Sequence, residues 1–237
     1  MTYCRSADLY DSIYRSVGKD YAAEARRIHQ LACQYKRSTD HTLLDVACGT
    51  GMHAGCLTEF YRVQGVDVSD EMIAVARGKH PEISFCVGDI RNFDLKLQFD
   101  IITCLFSSIG YLETSDMLNQ AIANMGRHLK PGGVLFLEPW FTPDTWNPGR
   151  IHAVFVDQPG LKIARMNISE VDGKRSFFIF HYLVATAEGI EYFTERHDMT
   201  LFTHDEYIHS FRVNLLDVLY DPDGLCGRGL YIGSKAI

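Results

Sequence analysis

Residues 43–51, Leu-Leu-Asp-Val-Ala-Cys-Gly-Thr-Gly, are the stretch whose residue types and spacing most clearly imply chemistry. An apolar strand, Leu43 to Val46, runs into a turn with glycines at 49 and 51. Glycine lets a backbone approach a ligand closely, because no Cβ intervenes. A lone acid, Asp67, ends the next apolar run. Its carboxylate can accept hydrogen bonds from two ribose hydroxyls. Together these features describe a pocket for an adenosine-containing cofactor at the first strand–helix junction of a doubly wound sheet. Gly49-Thr50-Gly51-Met52-His53-Ala54 also spells G-x-G-x-x-A, so a nicotinamide dinucleotide stays open at this point.

The elements that must hold this pocket follow from periodicity. Residues 8–35 read as two helical pieces broken at Val17-Gly18-Lys19. In the second, Tyr21, Ala25, Ile28, Ala32 and Tyr35 recur at helical spacing, with Asp20 as a cap. Short apolar strands are expected at 43–48, 63–68, 83–87, 99–106 and 134–138. Helices separate them: one after Gly51, one capped by Ser69, and one over 115–128 that Lys130-Pro131-Gly132-Gly133 stops. Strands alternating with helices imply a mostly parallel sheet covered on both faces. After residue 150 the pattern changes. β-Branched and aromatic residues dominate 151–202, and Asp172-Gly173 between two strand-like runs signals a hairpin, so a small antiparallel sheet is expected there. Thr203-His204-Asp205-Glu206 has the form of a capping box, opening a helix to about 212. Strands near 214–220 and 229–236 complete the chain. The expected units are 1–150, a helical lid plus cofactor core; 151–202, the insertion; and 203–237, completing the core sheet.

The bulk numbers bound the function classes. The chain has 237 residues, 46% hydrophobic and 22% charged, with a net charge of −7 and no basic run. That argues against a nucleic-acid footprint. No apolar stretch is long enough to span a membrane, and the N-terminus has no apolar run resembling a signal peptide. Seven scattered cysteines, never spaced C-x-x-C, read as free thiols in a reducing cytoplasm. Ten histidines form no metal-ligand pattern, so no metal is expected.

Further signals narrow the cofactor. Asp-Val-Ala-Cys-Gly-Thr-Gly at 45–51 is followed by Asp67, Gly88-Asp89-Ile90, and Leu129-Lys130-Pro131-Gly132-Gly133. In this order they resemble the motifs of class I S-adenosylmethionine (SAM) methyltransferases. The resemblance implies a Rossmann-like α/β fold: a doubly wound, seven-stranded, mostly parallel sheet ending in an antiparallel hairpin. SAM is then the cofactor and S-adenosylhomocysteine the product. Asp67 takes the ribose. Asp89 lines the adenine site or caps a turn. Asp45 contacts the methionine end or satisfies loop amides. Tyr21, Ala47, Gly49, Gly51, Val68, Met72, Ile90, Leu105, Ser107 and Tyr111 complete the expected cofactor set.

Five other patches carry a narrower resemblance: 8–14, 18–24, Phe106-Ser107-Ser108-Ile109-Gly110-Tyr111-Leu112, Glu138-Pro139-Trp140 and Gly227-Arg228-Gly229-Leu230. With the motifs above, the chain is similar nearly end to end to nucleotide-sugar N,N-dimethyltransferases, which complete the dimethylamino sugars of antibiotics. The implied substrate is a dTDP-linked aminodeoxysugar. Tyr14 is the leading catalytic and lid residue, or a core aromatic. Lys19 is a candidate at the cofactor's carboxylate end or in the substrate set. Arg228, between glycines that suggest a close backbone approach, is the leading diphosphate cation, with Arg150 and Arg165 as helpers. Trp140 stacks on the base or walls the sugar, and Glu138 orients the amine or is structural. Edges of the insertion make a homodimer an expectation. Alternatives are a methyltransferase of another small molecule, an NAD-dependent dehydrogenase, and a non-catalytic SAM-binding protein.

Overall fold

A computed structural model describes residues 5–237. The chain opens with α1 (Tyr10–Ser16) and α2 (Tyr21–Tyr35). Gly18 stands between them at φ +80°, and Asp20 caps α2 by accepting the Ala23 N–H at 2.9 Å. Then come β1 (Thr42–Val46), α3 (Met52–Leu57), β2 (Arg62–Asp67), α4 (Asp70–Lys79), β3 (Ser84–Val87), β4 (Phe99–Cys104), α5 (Ser115–Arg127) and β5 (Leu129–Leu137). The insertion holds β6 (Ile151–Gln158), β7 (Leu161–Ile168), β8 (Glu170–Asp172), β9 (Arg175–Thr186) and β10 (Gly189–Thr200). α6 (His204–Val213), β11 (Leu216–Asp221) and β12 (Leu230–Lys235) follow.

The expected seven-stranded sheet is present, in the order β3-β2-β1-β4-β5-β12-β11. β1 to β5 run parallel, while β12 and β11 are antiparallel additions. Alternate side chains leave a strand on opposite faces. Thus Leu43 and Ile101 pack with Ala25, Ile28, Leu57 and Ile73 of α2, α3 and α4. Their neighbours Leu44 and Ile102 pack with Leu118, Ile122, Met125 and Phe211 of α5 and α6. All six residues of β4 are buried, which is why its sequence shows no alternation. Strand order reverses between β1 and β4, so a crevice opens beyond their carboxyl ends.

The insertion forms a second sheet, β10-β9-β7-β6, with β8 paired to β9. The hairpin at Asp172-Gly173 joins β8 to β9. A third apolar cluster joins this sheet to α1 through Ile13, Val156, Phe178, Phe180 and Tyr182. Thr203 and Glu206 make the expected capping box of α6. One local expectation changes. Residues 130–133 do not form a turn separate from the fifth strand. They bulge within β5, where Leu129 pairs with Phe99 and Val134 with Ile101. The bulge is set by a distant partner: the Gly132 carbonyl accepts the amides of Arg37 and Ser38 at 2.8 and 3.0 Å. No helix among the described residues is long and apolar enough to cross a membrane.

Candidate active site

A cavity of about 1010 Å³ lies beyond the carboxyl ends of β1, β2 and β4, between α1 and the inner face of the second sheet. One half is lined by the core motifs, the other by the insertion. In the core half, Gly49 has φ +54°, and a Cβ there would meet nothing within 4 Å. Its N–H donates to Asp67 Oδ2 at 2.8 Å. Asp67 Oδ1 accepts the Ser69 N–H at 2.9 Å. Burial pushes this carboxyl's pKa up, and the amide hydrogen bonds oppose that. Val68, Met72, Ile90, Leu105 and Ala47 line the cavity, and so does Tyr111, whose hydroxyl pairs with His197 Nδ1 of β10 at 2.7 Å.

Asp45 is buried at the end of β1 and accepts the Thr103 hydroxyl at 2.8 Å. Burial raises its pKa to about 6, against the pull of His53. Asp89 lines the cavity, but Arg91 Nε already binds its two oxygens at 3.0 and 3.1 Å, and that pairing holds its pKa down. Tyr21 also lines the cavity, its ring edge-on to His53 at 4.9 Å.

Four residues do not line the cavity where the sequence suggested. A Cβ on Gly51 would lie 3.0 Å from the Phe85 ring and 3.2 Å from Ala76, so this glycine admits α4 and β3 rather than a ligand. Ser107 is fully buried, and its hydroxyl donates to the Pro139 carbonyl at 2.7 Å; its neighbour Ser108 lines the cavity instead. The Lys19 ammonium is buried against Glu24 at 2.7 Å, and Glu24 in turn lies 2.7 Å from His53 Nε2. Glu138 is fully buried and accepts the Phe106 N–H at 2.6 Å and Arg228 Nε at 3.3 Å.

The remaining candidates meet in the acceptor half. Tyr14 of α1 presents its ring edge-on to Phe106, centroids 4.8 Å apart at 88°. Arg165, nine-tenths buried on β7, places its guanidinium 5.3 Å from the Tyr14 ring and 4.2 Å from Phe180. Arg228 reaches the cavity with its charge offset by Glu138. Of the glycines beside it, one makes the expected close backbone approach, to Tyr220 rather than to the cavity. A Cβ on Gly229 would overlap the Tyr220 side chain, whereas one on Gly227 would touch nothing. Trp140 walls the cavity with Trp146 and Phe178, and its Nε1–H is committed to Ser176 Oγ at 2.8 Å.

Some lining residues escaped the sequence reading. Tyr10 is four residues before Tyr14 on the same helix face, a readable spacing. His152 and Asn167 are cross-strand partners, and they lie at two-residue spacing from Val154 and Arg165, which also line the cavity. With Arg150 and Ser169 they make a polar wall containing no carboxylate. Burial and the charges of Arg150 and Arg165 push the His152 pKa down. The other cavity arginines of the insertion are compensated: Arg175 by Glu113 at 3.6 Å and Arg196 by Asp198 at 2.8 Å. Among the described residues, no group of three or more His, Cys, Asp or Glu is arranged to hold a metal ion.

Comparison with known proteins agrees with this geometry. Residues 43–133 match the family model "Methyltransferase domain". The chain is 38% identical to dTDP-3-amino-3,6-dideoxy-alpha-D-glucopyranose N,N-dimethyltransferase of Streptomyces fradiae, covering 96% of this chain and 89% of that one. It is 40% identical to dTDP-4-amino-2,3,4,6-tetradeoxy-D-glucose N,N-dimethyltransferase of Saccharopolyspora spinosa, covering 97% and 92%. Among solved structures it resembles SAM-bound CalS10, an amino pentose methyltransferase of Micromonospora echinaspora. The TM-score is 0.88 and the identity 34%, over 96% of this chain and 97% of that one.

Proposed function

The chain belongs to the SAM-dependent N,N-dimethyltransferases of dTDP-linked aminosugars, and we propose that it methylates the amine of such a sugar twice. The NAD-dependent dehydrogenase alternative is thereby set aside. One observation carries the reading. A single cavity joins a ribose-type acid beside an open glycine turn to a wall in which Arg150 and Arg165 stand beside His152 and Asn167. The residues present fit SAM. Gly49 leaves room at the turn, and Asp67 keeps lone pairs beyond those taken by two amides. Val68, Met72, Ile90 and Leu105 offer apolar contact for a base. Asp67 would hold the ribose, Asp89 the adenine side, and Asp45 and Tyr21 the methionine side. When bound, SAM supplies a methyl group on a sulfonium.

The protein's own contribution is alignment and exclusion of water, which can be worth roughly 7–11 kcal/mol in a well-oriented bimolecular reaction. Tyr14 and Phe106 form the wall between the two halves and position the acceptor amine. Arg150 and Arg165, with His152 and Asn167, take the diphosphate, supported by the lack of any carboxylate among them. Arg228 assists with the part of its guanidinium not bound to Glu138. Trp140 walls the sugar or base. We read 1–150 with 203–237 as the cofactor core and 151–202 as the acceptor-facing insertion.

The finer context is proposed as well: a homodimer acting in the reducing cytoplasm, in antibiotic biosynthesis. The thiols of Cys33, Cys48, Cys56, Cys86, Cys104 and Cys226 are free, which suits that compartment. Incubation with SAM and a panel of dTDP-3-amino and dTDP-4-amino sugars, read by mass, tests the activity. Additions of one and two methyl groups are expected on a member of the panel. Methylation of free amino acids with no change in any nucleotide sugar would overturn it.

A further inference from the structure

Two consecutive non-glycine residues sit in the left-handed region just past the carboxyl end of β4: Phe106 at φ 55° and Ser107 at φ 63°. Such residues are strained and persist only where their surroundings over-determine them, commonly at functional sites. Both are fastened by the segment that follows β5. Glu138 Oε2 accepts the Phe106 N–H at 2.6 Å, and the Ser107 hydroxyl donates to the Pro139 carbonyl at 2.7 Å. The Glu138 carboxylate is wholly buried, and its other oxygen is met by the Cys226 thiol at 2.9 Å and Arg228 Nε at 3.3 Å. One side chain therefore ties together the ends of β4 and β5 and the loop before β12. Gly110 belongs to the same joint, since a Cβ there would stand 2.8 Å from Trp140 Cβ. The sequence patches at 106–112, 138–140 and 227–230 thus form one assembly. What it presents to the cavity is the Phe106 ring, edge-on to Tyr14, with the Lys19 ammonium 4.0 Å and the Arg228 guanidinium 5.1 Å from its centroid.

We propose that Glu138 is a positioning residue: its carboxylate holds Phe106 in the left-handed turn, beside Ser107 on the Pro139 carbonyl, and so sets the Phe106–Tyr14 wall that aligns the acceptor amine. Glu138 touches no substrate in this account, which rests on the methyl-transfer reading above. The role is that of a hydrogen-bond acceptor fixing a backbone. Glutamine keeps one accepting carbonyl for the Phe106 N–H but loses the acceptor facing Cys226 and Arg228, so it should hold the turn where alanine should not.

The test compares Glu138→Gln and Glu138→Ala by backbone hydrogen exchange over residues 105–112 and by steady-state kinetics with SAM and an accepted aminosugar. In the alanine variant, exchange of that segment should quicken about tenfold or more as local opening becomes easier. Its kcat should fall about ten- to a hundredfold from misalignment alone. KM for SAM should stay within about twofold, and any change in sugar KM caused by the released Arg228 should accompany the fall in kcat. The glutamine variant should keep the protection, and its kcat should stay within about threefold of the parent. A rise in sugar KM with kcat preserved in the alanine variant would overturn the proposal, since that marks a substrate contact. Unchanged exchange would overturn it too. Should the alanine variant not fold, the glutamine variant decides. Protection with near-parental kcat supports the role, and protection with lost kcat refutes it. Hydrogen exchange needs no turnover. Absence of product from the parent enzyme would therefore count against the methyl-transfer reading and not against the clamp.

Discussion

The carboxylate of Asp67 is held by the amides of Gly49 and Ser69 at 2.8 and 2.9 Å, and this fixes its orientation without exhausting its lone pairs. A charge-assisted hydrogen bond contributes about 1.5–3 kcal/mol, so Asp67→Ala should raise the KM for SAM roughly ten- to a hundredfold. At saturating SAM, kcat should change little; an unchanged KM in initial-rate measurements would remove Asp67 from the cofactor site. Asp45 makes a pH-dependent prediction. Its folded pKa is raised to about 6 by burial, above the ordinary aspartate value of about 3.9. Between those values the folded state binds more protons than the unfolded chain. The associated stability is complete below about pH 4 and is lost as pH rises through about 6. A cationic ligand prefers the charged carboxylate, so SAM affinity should run the opposite way and fall about tenfold per pH unit below 6. Asp45→Asn should flatten both profiles. Calorimetric SAM titrations of the two proteins at pH 5 and pH 7.5 check this, and parallel profiles would sink it.

α1 is fastened to the second sheet by Ile13 and to the core by polar contacts. Its buried Asp11 accepts the Thr50 hydroxyl at 2.7 Å and also pairs with Lys79 Nζ, linking the helix to the glycine turn and to α4. Tyr10 and Tyr14 of α1 line the cavity, and Gly18 follows at φ +80° with open space around it. An α1 that acts as a lid would open this latch for ligand exchange on the core side, a step that commonly limits turnover. Asp11→Asn should speed release of S-adenosylhomocysteine about fivefold in stopped-flow displacement, equivalent to about 1 kcal/mol of lost latch. An unchanged release rate would show that α1 does not gate the site. The break before α2 was legible from Val17-Gly18-Lys19, and the caps at Ser69 and Thr203–Glu206 from local hydrogen-bonding chemistry, because each is settled within four residues. The bulge at 130–133 was not, since its partners Arg37 and Ser38 lie ninety-odd residues away. The same divide runs through the site. The core half is strand, turn and strand, so Gly49 and Asp67 could be placed from spacing, and Asp45 from the resemblance of its motif to those of the methyltransferases. Ser107 was read toward the ligand and Glu138 was left open between ligand and structure; both turn to tertiary partners that spacing does not reveal, while Lys19 turns to Glu24 five residues on. Along β6 and β7 an alternation of two separates the faces but does not say which one meets the cavity, so His152 and Asn167 went unseen.

The second sheet has two unlike faces. Val154, Arg165, Phe178 and Phe180 look into the cavity. The opposite face carries Ile151, Phe155, Met166, Ile168, Leu183, Ile190 and Tyr192, each between 47% and 76% exposed. Strand register makes them one surface: Ile151 pairs with Ile168, Leu183 with Tyr192, and Phe155 reaches Leu183 across Ala164. Contiguous exposed apolar surface of this extent marks an interaction site. Its charges nearly cancel, because Lys162 and Asp157 pair at the margin. A neutral apolar patch can face its own copy about a two-fold axis, where a strongly charged one would repel itself. A homodimer formed through this face would leave the two cavities pointing away from the contact. Phe155→Glu combined with Leu183→Glu should bury like charges in that contact and release monomers. Light scattering should then read 26.9 kDa for the variant and about twice that for the parent chain at the same concentration. Turnover per chain should be retained, since no cavity residue is touched. A parent protein of 26.9 kDa at tens of micromolar would refute the interface. So would a doubly substituted protein that keeps the parent mass, because the association would then run through another surface.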